Sequence, residues 1–119
     1  AKWEDFFRLE EEKIALDSLN KKNCIISLGG GAFENTKIRD NVLSLAISIW
    51  LDVSVDIINK RLKKSTKRPM LKNKNVKERL QELYDKRKDA YNLANNRINC
   101  DKLSINEISK KIIDIYENQ

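Results

Sequence analysis

The chain has 119 residues, of which 40% are hydrophobic and 35% are charged, a composition that fits one globular domain and excludes a disordered chain. These residues include no histidine, which excludes a Ser-His-Asp triad within them, and no apolar run approaches the roughly 18 residues that span a bilayer. The net charge of +6 is concentrated in residues 63–77, which contain seven basic residues and no acidic one. This distribution predicts a local anion-handling segment rather than a basic protein throughout.

The first half of the chain predicts a helix, a buried strand and a second helix, in that order. Residues 3–20 place apolar side chains at helical spacing among Glu and Lys. Residues 24–28 are short and mostly apolar, which predicts a strand buried on both faces, and Gly29 to Gly31 end it. A helix is expected from about Thr36 to Leu45.

The second half continues the alternation of strands and helices. Two further runs, at 47–53 and 97–100, predict strands. Three helices accompany them: one capped by Ser54 and running to about Leu62, one over 76–94, and one that begins at a Ser104–Glu107 capping box. This alternation predicts a single α/β domain over 1–119, with a parallel sheet covered on both faces by helices in three layers.

The two cysteines, Cys24 and Cys100, stand at the ends of apolar runs and have no C-x-x-C spacing. Buried thiols that stay reduced are typical of cytoplasmic proteins, so we expect both cysteines to be buried and the protein to be cytoplasmic. The absence of metal-ligand spacing also predicts no metal site within these residues.

Gly29, Gly30 and Gly31 form the first candidate site. In an open parallel sheet, ligands bind beyond the carboxyl ends of the strands, where this triplet is expected to lie. Glycine there lets backbone amides approach a ligand closely, whereas a plain strand-to-helix turn is the alternative. Neither GxGxxG nor GxxxxGK[ST] occurs in the chain, so the triplet is not a phosphate loop.

Three arginines supply further candidates, each with an ordinary structural alternative. Arg8 lies three residues before Glu11 and beside two phenylalanines, so its guanidinium suits either a ligand carboxylate or a surface salt bridge. Arg68 lies in the basic segment, which fits either a loop that closes over phosphate or a solvated surface. Arg87 lies four residues before Tyr91 on a predicted helix, where packing on the tyrosine is the alternative to ligand binding.

Taken in order, four segments of the chain resemble the shikimate kinase family. They are Phe7-Arg8-x-x-Glu11, the run from Ile26 to Phe33, Arg68-Pro69-Met70-Leu71, and Arg87-x-x-x-Tyr91-x-x-Ala94. The resemblance covers essentially the whole chain. It implies a P-loop fold of the nucleoside-monophosphate-kinase type, incomplete here, and ATP-dependent phosphorylation of the shikimate 3-hydroxyl in chorismate biosynthesis.

The resemblance also implies how the acceptor would be held. Arg8 and Arg87 would bind the shikimate carboxylate from two helices, and Glu11 would hold Arg8. The amide of Gly30, helped by Gly29 and Gly31, would meet a ring hydroxyl. Two arginines on one carboxylate would fix the ring in line for phosphoryl transfer.

For the nucleotide, the resemblance implies that Arg68 acts as the catalytic lid residue on the transferring phosphates and that Arg61 lies against the adenine. Lys102 stands near the position where the family often has another adenine-side arginine, and is only a weak substitute for it. The expected partners are ATP, Mg²⁺ and shikimate, with no nucleic acid and no membrane, in a monomer.

The family's first strand, P-loop and early metal-binding aspartates have no counterpart in these residues, and the chain begins at Ala1 rather than methionine. We therefore expect a part of a longer protein, with the metal ligands outside it, that is inactive by itself. The family's sheet order places 24–28 and 47–53 on either side of the absent strand. Since unpaired strands expose backbone and apolar groups, we expect 1–119 alone to fold poorly.

Other functions stay open at this point. A homologue could bind shikimate or a similar hydroxy acid without catalysis, and a related kinase of the same fold could use another acceptor such as gluconate. A nucleic-acid-binding module that uses residues 63–77 would bind with strong salt dependence. That third reading would leave the glycine triplet and Phe7-Arg8 unexplained.

Overall fold

The computed structural model describes residues 2–64 and 76–119, which form helices around one pair of strands. The elements are α1 (Lys2–Leu19), α2 (Thr36–Leu45), β1 (Ile49–Asp52), α3 (Val55–Lys63), α4 (Val76–Tyr91), β2 (Asn96–Asn99) and α5 (Ile105–Glu117), with a short 3₁₀ turn at Ala32–Glu34. Within those ranges, no helix combines the length and apolarity needed to cross a membrane.

The two strands β1 and β2 pair in parallel, with Ile49 opposite Asn96 and Asp52 opposite Asn99. The chain between them contains α3 and α4, the kind of long crossover that a parallel pair needs. The strands predicted at 47–53 and 97–100 are therefore confirmed, with ends shifted by one or two residues. Their parallel pairing is confirmed as well.

The buried strand predicted at 24–28 is wrong. This segment has no ladder partner among the described residues, and Ile25 is 94% exposed. A short apolar run becomes a strand only beside a backbone that pairs with it, and the run itself does not specify that partner. In the expected sheet order another strand separates this segment from β1, so pairing with β1 is not expected, and none occurs among the described residues. Cys24 in this segment is exposed, against the prediction, whereas Cys100 is buried as predicted.

Two helix starts that the sequence predicts from side-chain caps are confirmed. Ser54 Oγ accepts a hydrogen bond from the amide of Ile57 at 3.4 Å, at the start of α3. At the start of α5, Ser104 Oγ accepts from the Glu107 amide at 3.1 Å, and the Ser104 amide donates to the Glu107 carboxylate at 3.0 Å. These bonds satisfy amides that have no acceptor within their own helix.

A small core joins α1, the 3₁₀ turn and α2. Its buried members are Ala15, Ala32, Phe33, Ile38 and Val42. Ile38 is completely buried, and Tyr91 from α4 packs against the same cluster. Because Ala32 and Phe33 directly follow the glycine triplet, their burial fixes the position of the triplet between α1 and α4.

Candidate functional site

The glycine triplet brings the guanidinium groups of two helices together. Nη1 of Arg87 lies 2.7 Å from the place that a Cβ on Gly30 would occupy. At Gly31, the corresponding place lies 3.0 Å from Nη1 of Arg8 and 3.5 Å from Nη2 of Arg87. None of the three glycines has a positive φ, so glycine is needed here for space rather than for backbone conformation. We call Arg8, Arg87 and the triplet the arginine–glycine site.

On α1, Arg8 and Glu11 form the ion pair that their spacing predicts. Nη1 of Arg8 donates to Oε1 of Glu11 at 3.0 Å. The other oxygen of Glu11 lies 3.4 Å from the Cβ place of Gly29, so this carboxylate also borders the triplet. An exposed pair of this kind adds little stability, but here it sets the direction of a guanidinium that faces the glycines.

The helix that carries Arg8 is held in place by Asn35. Its side-chain amide donates to Oε2 of Glu12 at 2.9 Å, while its Oδ1 accepts from the amide of Ile38 at 3.1 Å and so caps α2. Lys37 adds an ion pair to Glu12 at 3.4 Å. The hydrogen bond from Asn35, reinforced by Lys37, holds the pKa of Glu12 below 4.5. One side chain therefore links α1 to α2 beside the site.

On the other side of the triplet, Glu34 and Tyr91 surround Arg87. Oε2 of Glu34 lies 3.5 Å from Nε of Arg87, and each of the two side chains is 25% exposed. One turn after Arg87, the Tyr91 hydroxyl donates a hydrogen bond to the carbonyl oxygen of Gly30. Burial raises the pKa of Tyr91 above 10.0, with Arg87 opposing the rise and Glu34 adding to it. Tyr91 is therefore a neutral donor at physiological pH.

Asp52, at the carboxyl end of β1, links both strands to α4. It is 5% exposed and accepts hydrogen bonds from Tyr84 Oη at 3.0 Å and from Arg97 Nε at 2.9 Å. The Arg97 guanidinium also lies 5.1 Å from the ring centroid of Trp50, a cation–π distance. Tyr84 and Arg87 are three residues apart on α4, so this contact helps to set the rotation of the helix that carries Arg87.

Of the two predicted nucleotide-side arginines, the structure describes Arg61 alone. Arg61 is exposed on α3, where its charge partly opposes the rise that burial produces in the pKa of Cys100. Arg68 lies outside the described residues, so its role stays a prediction. In the part of the chain that the structure describes, no group of three or more His, Cys, Asp or Glu side chains could hold a metal ion. No magnesium ligand is assigned to those residues.

Sequence reasoning missed two acidic residues of this region. Glu34 follows the triplet by three positions, and that proximity is the only signal that points to it. Asp52 closes an apolar strand at the edge of a parallel sheet where ligands bind, a position that could have marked it as a candidate. Its partner Arg97 lies 45 residues further along the chain, so the pair becomes visible only in the fold.

Comparisons with known proteins point in the same direction as the geometry. A family model described as Shikimate kinase matches residues 1–117. A shikimate kinase of Bartonella quintana is 34% identical over 97% of this chain and 55% of its own length. One of Sulfurihydrogenibium sp. is 35% identical over 94% of this chain and 66% of its own length. The chain thus spans about half to two thirds of the curated relatives it matches.

Two solved structures share the fold. The structure titled shikimate kinase from Acinetobacter baumannii in complex with shikimate has a TM-score of 0.81, at 22% identity over 94% of this chain and 63% of that one. Shikimate kinase from Bacteroides thetaiotaomicron has a TM-score of 0.79, at 24% identity over 93% and 66% of the two chains. The predicted α/β fold class is confirmed by these similarities.

Proposed function

The chain belongs to the shikimate kinase family, and from that premise we propose that the protein transfers the γ-phosphoryl group of ATP to the 3-hydroxyl of shikimate. In this reaction the bond from the γ-phosphorus to the bridging oxygen breaks and ADP leaves with that oxygen, while an oxygen–phosphorus bond forms at the acceptor and the hydroxyl proton is released to solvent. The product feeds chorismate and aromatic amino-acid biosynthesis. The described residues would contribute the acceptor side of the site.

The observation that carries this proposal is the meeting of Arg8 and Arg87 at the glycine triplet. Shikimate has one carboxylate, and a guanidinium fork matches a carboxylate in shape, charge and hydrogen-bond direction. Two forks from two helices would fix both the position and the rotation of the ring. Phosphoryl transfer needs this precision, because the enzyme contributes mainly positioning and charge neutralisation.

The triplet supports the same function in a second way. Without side chains at Gly30 and Gly31, both guanidinium groups lie within contact distance of the backbone. An acceptor bound to the forks would therefore lie against the amides of the triplet, where a ring hydroxyl could accept a hydrogen bond. The A. baumannii shikimate kinase, whose solved structure is a complex with shikimate, has this fold.

The nucleotide side of the proposal depends on the family rather than on contacts in the described residues. ATP is the expected phosphoryl donor, with Arg68 acting on its phosphates and Arg61 near its adenine. Mg²⁺, when bound, would neutralise charge on the transferring phosphates. We assign its ligands to none of the described residues.

Two alternatives would use the same acceptor-binding residues, but one lacks the phosphoryl transfer and the other has a different acceptor. A non-catalytic homologue would bind shikimate without turning over ATP. A related kinase would bind a different small hydroxy acid at the same arginines. A coupled assay that follows ADP release with shikimate, and with gluconate as a second acceptor, separates all three.

The direct test uses Arg8→Ala in the complete encoded protein. Since hydrogen bonds to charged groups contribute about 1.5–3 kcal/mol, we expect shikimate affinity to fall by about tenfold or more. ATP affinity should stay the same. Arg79→Ala, an exposed arginine on α4, is the matched control and should change neither affinity. Unchanged shikimate binding by calorimetry in Arg8→Ala would refute the assignment.

A further inference from the structure

Arg87 has a carboxylate neighbour that the resemblance to shikimate kinases does not assign. Glu34 ends the 3₁₀ turn after the triplet, and its Oε2 lies 3.5 Å from Nε of Arg87. Both side chains are 25% exposed, so the two charges face each other partly shielded from solvent. At this separation and exposure, their attraction is much less screened than that of a fully exposed pair.

The direction of the Arg87 fork decides what this contact can do. Nη1 and Nη2 face Gly30 and Gly31, where an acidic ligand would bind, whereas Nε faces Glu34. Nε is buried and has no hydrogen-bond partner among the described residues. A buried polar atom of this kind needs an acceptor, and the carboxylate of Glu34 is the charged acceptor next to it.

A carboxylate also lies beside the other arginine of the site. Nη1 of Arg8 donates a hydrogen bond to Glu11, and the same Nη1 lies 3.0 Å from the Cβ place of Gly31. Each arginine of the site thus has one carboxylate beside its guanidinium and the glycines next to it. The two carboxylates come from different elements, Glu11 from α1 and Glu34 from the 3₁₀ turn.

We propose that Glu34 is a positioning residue for Arg87, which holds Nε so that Nη1 and Nη2 stay directed at the carboxylate of the acceptor. This inference rests on the proposed function and adds a specificity-determining residue to it. Glu34 would raise the affinity for acceptors that carry a carboxylate and would have little influence on uncharged ones. It would not touch the transferring phosphoryl group.

The test compares Glu34→Gln with Glu82→Gln in the complete encoded protein, using shikimate and its uncharged carboxamide. Glu82→Gln removes the same charge from an exposed residue on α4, the helix that carries Arg87. We expect Glu34→Gln to raise the KM for shikimate about twofold to fivefold at nearly constant kcat, as for the loss of one partly exposed ion pair. The carboxamide should bind equally well to both variants.

Further measurements make the result decisive. In an Arg87→Met background, Glu34→Gln should have no additional effect on shikimate affinity, because its target is gone. Glu34→Met is a second neutral variant, and a thermal melt of each variant checks that it is folded. Tighter shikimate binding in Glu34→Gln would mean that Glu34 competes with the acceptor, and unchanged binding would mean that it does not act on Arg87. Either result overturns the inference. A parent protein that does not bind shikimate would instead overturn the proposed function.

Discussion

The hydroxyl of Tyr91 donates a hydrogen bond to the carbonyl oxygen of Gly30, the central glycine of the triplet. The ring of Tyr91 lies between Phe33, at 6.3 Å between centroids, and Trp50, at 5.8 Å. Three elements therefore meet at one side chain: α4, the 3₁₀ turn and β1. Since Arg87 lies one turn earlier on α4, this contact fixes the distance between its guanidinium and the triplet.

Tyr91→Phe should weaken acceptor binding without unfolding the protein. The substitution keeps the ring and its packing, but it removes the hydrogen bond to Gly30, a loss of about 0.5–1.5 kcal/mol for a typical neutral bond. We expect shikimate affinity to fall by about twofold to tenfold, with ATP affinity unchanged, as measured by calorimetry. A variant that binds both ligands like the parent would show that the triplet does not need this support.

The raised pKa of the Tyr91 hydroxyl predicts that the stability of the folded protein decreases at alkaline pH. Burial raises the pKa of Tyr91 above 10.0, so the neutral donor form is favoured in the folded protein. Its contribution to stability is therefore complete below about pH 10 and is lost as the pH rises through the higher pKa of the folded state. Burial and the neighbouring Asp52 raise the pKa of Tyr84 as well, so both tyrosines contribute to the late part of a tyrosinate absorbance titration. Tyr91→Phe should therefore reduce the amplitude of the late step without abolishing it, and an unchanged amplitude would contradict the raised pKa of Tyr91.

Arg68→Ala tests the predicted division of labour between the two sides of the site. If Arg68 acts on the transferring phosphates, its loss should lower kcat much more than it raises the KM for shikimate. Steady-state kinetics at varied shikimate and saturating ATP give both values. The reverse pattern, a raised KM for shikimate with kcat preserved, would place Arg68 at the acceptor. Lys67→Ala, the preceding basic residue, is the charge-matched control.

Local signals predicted most of the helices. The caps at Ser54 and Ser104 and the apolar spacing along α4 depend on neighbours within a few residues, so the sequence contains all the information needed. The segment 24–28 was predicted wrongly because strand formation depends on a distant partner. A mostly apolar run shows a tendency toward burial, but not what would cover it or pair with it.

For the same reason, the sequence predicted some residues of the site and missed others. Arg8, Arg87 and the triplet were found through motif order, and the fold does bring them together. Glu34 and Asp52 were missed because neither belongs to those motifs, and each acts through a contact with a different element. Such contacts depend on the position and rotation of α4 against the sheet, which no local sequence pattern specifies.

Asp52→Asn should destabilise the protein and reduce acceptor affinity only as a secondary effect. The substitution keeps the shape of the side chain but removes the buried charge that Arg97 and Tyr84 both contact. We expect a melting temperature several degrees lower, because a charge-assisted contact that joins β1, β2 and α4 becomes a neutral one. Differential scanning calorimetry measures this directly. Asp56→Asn, an exposed acidic residue on α3 paired with Lys77, is the control and should have little effect.

The contacts around the three glycines predict that alanine substitutions at these positions reduce shikimate affinity to different extents. A Cβ at Gly30 would lie 2.7 Å from Nη1 of Arg87, which forces the guanidinium to move, whereas a Cβ at Gly29 would meet Glu11 at an ordinary 3.4 Å. Gly30→Ala should therefore reduce shikimate affinity by about tenfold or more, in line with the cost of overpacking, which is about 1–3 kcal/mol. Gly29→Ala should have a much smaller effect.

The loss of shikimate affinity in Gly31→Ala should be intermediate between the losses in these two variants, since its Cβ would lie 3.0 Å from Nη1 of Arg8. The end of a flexible side chain can retreat from a methyl group, so folding should survive in all three variants and the damage should appear in acceptor binding. Calorimetric titration with shikimate, together with a thermal melt, separates the two effects. Equal losses of affinity at Gly29 and Gly30 would contradict the contact with Arg87, because the two methyl groups meet different side chains.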